Sequence, residues 1–75
     1  MSSRVKLDLV GVGWPVCLLE CKSVLRDLGS GQELDVRVHD PEVVAELVTI
    51  IERGGHQVVG HHHVGEGYTI RILKK

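Results

Sequence analysis

The side chains able to do chemistry in this chain fall into two groups. Cys17 and Cys21 stand four residues apart, at and beyond the end of the stretch GVGWPVC at 11–17. His61, His62 and His63 stand in a row, with His39 and His56 apart from them. A thiol at a helix start has its thiolate favoured by free amides and the helix dipole, and the thiolate is the form that exchanges sulfur. Two thiols one turn apart share a helix face with Cβ atoms roughly 5–6 Å apart, whereas a disulfide takes roughly 3.5–4.5 Å. Both cysteines are therefore expected to stay reduced. Consecutive histidines on a strand alternate in direction, so His61 and His63 face one way and His62 the other. The three cannot converge on one metal ion. With no Cys-x-x-Cys pair and no His-x-x-x-His helix, no metal centre and no cofactor are expected.

Conventional enzyme machinery is not discernible. GSGQE at 29–33 lacks the lysine and following helix of a phosphate loop. No Ser-His-Asp set or carboxylate pair can be identified, and 75 residues leave little room for a closed substrate pocket.

The elements that must position these residues follow from periodicity. RVKLDLV (4–10) alternates Val5, Leu7 and Leu9 against Lys6 and Asp8, a half-buried strand. After a glycine break, the period changes. From Pro15 to Leu28 the residues Leu18, Cys21, Leu25 and Leu28, flanked by Cys17 and Val24, make one helical stripe ended by Gly29-Ser30-Gly31. ELDVRVH (33–39) is a second strand with Leu34, Val36 and Val38 inward. Asp40-Pro41 opens a second helix, which carries Val44, Leu47, Val48 and Ile51 and stops at Gly54-Gly55. HQVVGHHH (56–63) and YTIRILKK (68–75) pair as a hairpin through VGEG.

The order β-α-β-α-β-β gives two crossovers with parallel strands and places both helices on one side of the sheet. An α+β, two-layer sandwich follows, with the last strand antiparallel. Its open face should carry Lys6, Asp8, Asp35, Arg37, His39, Thr69 and Arg71, a mixed set suited to solvent.

Composition bounds the rest. The length allows one domain, 1–75, and with no Phe, one Trp and one Tyr the core must be aliphatic. A net charge of −1, with basic residues not gathered on one face, gives no reason to expect nucleic acid or an anionic membrane. The start MSSRVKLDLV lacks the apolar region of a signal peptide, and no run is long enough to span a bilayer. A cytoplasmic, thiol-reducing setting is expected.

LDLVGVGWPVC, then a helix, a strand, HDPEVVAEL, GGHQVV and a last strand, resembles the TusA/SirA-like sulfur carriers over nearly the whole chain. The resemblance implies a cytoplasmic sulfur-relay protein with protein partners, and a sheet in which the fourth strand lies between the second and third, order 1-2-4-3. The family signature is an Asp, a Gly three residues on, and Cys-Pro-x-Pro at the first helix start, the Cys carrying a persulfide. Asp8, Gly11, Pro15 and Asp40-Pro41 match. Trp14 stands where the carrier cysteine belongs, and Cys17 where the second proline belongs.

Two readings of the site follow. If Trp14 is the N-cap, it offers no capping oxygen, and the amides near Val16, Cys17 and Leu18 lack a local side-chain acceptor. Cys17 is then either a reactive thiol replacing the missing cysteine or a core residue beside the apolar stripe. Cys21, one turn deeper, reads as core. Trp14 either folds onto the sheet edge or, with Val12, Gly13 and Pro15 at the family's partner-facing tip, anchors another protein. His39 and the triple histidine end strands on the same sheet edge, but the third strand is three places from the first, roughly 14 Å away at ~4.8 Å per strand. As a carrier, the chain would be at most sulfurtransferase-like, moving sulfur on a partly exposed Cys17. As a regulatory or protein-interaction module, it would bury Cys17 and expose Trp14.

Overall fold

The computed structural model describes residues 4–75. Six elements follow the expected order: β1 (Arg4–Asp8), α1 (Val16–Asp27), β2 (Glu33–Val38), α2 (Pro41–Arg53), β3 (Gln57–Val64) and β4 (Gly67–Leu73). The sheet runs β1-β2-β4-β3, with β1 parallel to β2, and β4 antiparallel to both β2 and β3. β4 thus inserts between the strands that precede it, as the strand order expected from the resemblance requires.

The two central strands supply the deepest side chains. Leu34, Val36 and Val38 of β2 and Ile70 and Ile72 of β4 are buried beneath α1 and α2, which contribute Cys17, Cys21, Leu25, Val44, Leu47 and Ile51. Each large aliphatic side chain removed from water contributes roughly 1.5–3 kcal/mol before the entropy of ordering is offset. With no phenylalanine available, interlocking branched side chains must fill this volume.

The opposite face is charged and internally paired. Asp35 Oδ1 accepts from Arg71 Nε at 3.0 Å, while Asp35 Oδ2 lies 3.7 Å from Arg4 Nε. Since Arg71 is directly across from Asp35 on β4 and Arg4 lies on β1, one carboxylate ties three strands.

The two helices begin differently. α2 starts as expected: Asp40 is the N-cap, its carboxylate accepts from the Glu42 amide at 2.9 Å, and Pro41 fills the first turn. α1 starts one residue later than expected, with Pro15 as N-cap and no side-chain capping bond. At the other end of α1, the Lys74 ammonium donates to the Leu25 carbonyl and helps satisfy the last turn. Gly67, the first residue of β4, is required by close approach: a Cβ there would lie 2.9 Å from the Val38 carbonyl oxygen.

Candidate functional site

The loop from β1 to α1 is built by short-range backbone bonds. Asp8 Oδ1 accepts from the Val10 amide at 3.0 Å, and the Leu9 carbonyl accepts from the Val12 amide at 3.0 Å. Gly11 sits at φ +83° between them, a left-handed conformation that glycine adopts without steric cost. The Leu9 amide donates to the Arg37 carbonyl at 2.8 Å, which anchors the loop to β2. The signature Asp and Gly therefore shape this turn: the first folds it with its side chain, the second with its backbone.

Beyond the turn the chain enters α1 through a cis Trp14–Pro15 peptide bond. The Cys17 amide donates to the Gly13 carbonyl at 3.0 Å and the Leu19 amide to the Pro15 carbonyl at 3.1 Å. Pro15, not Trp14, is the N-cap; the lack of a side-chain cap is as expected, and the Cys17 amide finds a backbone acceptor in the preceding turn.

For the thiols, Cys21 lies in the core and both cysteines are reduced as expected, while of the two readings of Cys17 the geometry matches the buried one. Cys17 and Cys21 are both 0% exposed, and both are free thiols. The partial exposure required of a carrier at Cys17 is absent. Its side chain opens the buried stripe Cys17, Cys21, Leu25, with Leu18, Val24 and Leu28 at the margins. Burial, and secondarily the charge of a neighbouring Cys17 thiolate, pushes the Cys21 thiol up to about 12. At neutral pH Cys21 is therefore protonated and unreactive.

The surface of the same tip is apolar. Trp14 is 41% exposed, Val16 50% and Leu19 60%. Val16 and Leu19 are three residues apart and share a helix face. Val12, expected beside Trp14 as an exposed anchor, is half-buried against the core, while Gly13 and Pro15 are exposed. Sequence reasoning missed Val16 and Leu19. The available signal was that four successive apolar residues, Val16 to Leu19, cannot all face inward on a helix. Trp14 also walls a shallow hollow of about 260 Å³ with Asp40, Glu42, Val43 and Glu46 from the start of α2. An aromatic face and three carboxylates meet there.

The remaining candidates lie elsewhere. His61 and His63 oppose Ile70 and Tyr68 on β4, whereas His62 opposes Thr69, so the alternation of direction is as expected. Among the described residues no group of three or more His, Cys, Asp or Glu side chains is placed to hold a metal ion. No helix among them is long and apolar enough to cross a membrane.

Comparison with known proteins bears on this geometry. A family model described as sulfurtransferase TusA matches residues 5–74. The crystal structure of a SirA-like protein from Desulfitobacterium hafniense has the same fold, with a TM-score of 0.77 over 92% of this chain and 95% of that one at 20% identity. The comparison with curated proteins found no match. The family match runs from β1 through the α1 tip to the end of β4, and the chain belongs to the TusA sulfurtransferase family.

Proposed function

We propose that this chain is a protein-interaction member of the sulfur-relay family that docks through the α1 tip and carries no sulfur on a thiol of its own. Membership of the family implies a general role in sulfur relay with protein partners. The observation that carries the finer reading is the inversion at the tip: both thiols are fully buried, and the side chain at the carrier position is an exposed tryptophan. Sulfur transfer requires a thiolate to approach a partner's sulfur directly, and a thiol with no accessible surface has no such approach. Trp14, Val16 and Leu19 instead offer apolar area for a partner, and aromatic side chains in such patches supply much of the binding energy of an interface. The carboxylates of Asp40, Glu42 and Glu46 beside Trp14 favour a partner that brings basic side chains to the rim.

The alternative, a persulfide held on Cys17, requires the first turn of α1 to open. Intact-mass spectrometry after incubation with a cysteine desulfurase and cysteine separates the two readings. The proposal expects no gain of about 32 Da, the mass of one persulfide sulfur. A gain lost in Cys17→Ser and retained in Cys21→Ser would establish the carrier reading instead. Docking has its own readout, because Trp14 is the single tryptophan. With 5-fluorotryptophan incorporated, its one fluorine resonance should shift or broaden as the desulfurase is titrated. An unmoved resonance in the presence of the desulfurase would overturn docking of that enzyme at this tip.

A further inference from the structure

The triple histidine lies away from the α1 tip, and its role is independent of the docking proposal. Among the described residues β3 is an edge strand paired only with β4, and His61, His62 and His63 are all exposed. His61 and His63 are two residues apart on one strand, so their side chains leave the same face with Cα atoms about 6.7 Å apart. Their surroundings agree. His63 stacks on Tyr68 with ring centroids 4.7 Å apart and planes 13° from parallel. His61 and Tyr68 together line a shallow hollow against Pro41, Val44, Ala45 and Val48 of α2. Both imidazoles therefore flank Tyr68 on the helix-bearing side, while His62 belongs to the side of Thr69.

We propose that His61 and His63 form a two-ligand chelate for a borderline divalent transition-metal ion, with water completing the coordination. An imidazole donates its nitrogen lone pair in the plane of the ring. A partner stacked on the ring face, as Tyr68 is on His63, restrains the ring and leaves that lone pair free. Among the described residues neither imidazole is engaged in a hydrogen bond or ion pair, so no polar interaction has to be broken. Two imidazoles reaching a common ion at about 2.0–2.1 Å need only side-chain rotation from neighbouring positions on one strand face. Imidazole nitrogen suits zinc, nickel and copper, not the oxygen-seeking magnesium and calcium. No carboxylate or thiol completes the set among the described residues. The ion therefore keeps exchangeable positions that a ligand or a second protein can enter.

Calorimetric titration with Ni²⁺ and with Zn²⁺ tests this, using the wild type, His61→Ala, His63→Ala and His62→Ala. One ion should bind per wild-type chain. Either His61→Ala or His63→Ala should weaken binding by about tenfold or more, because the second ligand no longer acts within the same molecule. His62→Ala, equally exposed on the same strand, should leave affinity unchanged and controls for folding. Ni²⁺ should also broaden the proton resonances of Tyr68 more than those of Thr69. Wild-type protein that binds neither ion, or a loss in His62→Ala as large as in the other two, would overturn the chelate.

Discussion

The two strand-to-helix turns make an instructive pair. Each leads from a parallel strand through a proline into a helix packed on the same side of the sheet. The turn into α2 is brief, and Asp40 caps its helix with a 2.9 Å bond. The turn into α1 takes the longer path from Leu9 to Pro15, ends without a side-chain cap, and leaves Trp14 and Val16 exposed above a buried Cys17. One turn is optimised for stability. The other exposes apolar surface and has no side-chain cap, which is what the docking proposed for this tip calls for.

Four measurements break or sharpen this contrast, and the largest effect concerns the buried thiols. The Cys21 thiol is raised from 9.0 to about 12 in the folded protein. The unfolded chain therefore loses its proton first as pH rises. This contribution to stability is fully present below pH 9.0 and is lost between 9.0 and about 12. Within that window Cys21 should lower stability by roughly 1.4 kcal/mol per pH unit in denaturant unfolding, and Cys21→Ala should reduce the slope by that amount.

Cys17→Ser comes next. It buries a hydroxyl in an apolar stripe and should cost about 1–3 kcal/mol in urea unfolding, while Val16→Ser, one residue away on the surface, should change stability by less than about 0.5 kcal/mol. Asp40→Ala should cost about 1 kcal/mol, largely restored by Asp40→Asn, which also caps. Smallest in stability is Trp14→Ala, within about 0.5 kcal/mol of wild type by the same assay. Its effect should appear in partner binding alone. A large loss of stability in Trp14→Ala would assign the side chain to the core and remove the contrast.

What could be read from the sequence differs between the same two regions. In α2 the polar residues Glu42, Glu46, Thr49 and Glu52 mark the outer face, so Val44, Leu47 and Ile51 had to be inward, and they are. In α1 the apolar run Val16-Cys17-Leu18-Leu19 leaves the phase of the helix undetermined. Periodicity alone then centres the stripe on Leu18 instead of Cys17. That single shift decides whether Cys17 is accessible, and hence which of the two functional readings is favoured. The strands were legible because alternation is strict in β1 and β2. The strand order came from the likeness to a known family, since pairing partners distant in sequence leave no local pattern. The stack of His63 on Tyr68 was likewise hidden, because it depends on the register across the hairpin.

The position of β4 between β2 and β3 carries a consequence for the order of assembly. β3 and β4 are joined by a tight turn at Gly65-Glu66, so their pairing closes a very short loop. β2 can find β4 only after the segment containing α2 and β3 has been looped out, and among the described residues β1 pairs with β2 alone at the far edge. Loop-closure entropy thus favours the hairpin first, with both longer-range pairings to β2 following it. The strand that launches the α1 tip is held on one side only among the described residues, so it should fray before the central strands. Amide hydrogen exchange should accordingly be faster in β1 than in β2 or β4. The tip proposed for docking thus follows an edge strand, and opening it should cost less than opening β2 or β4.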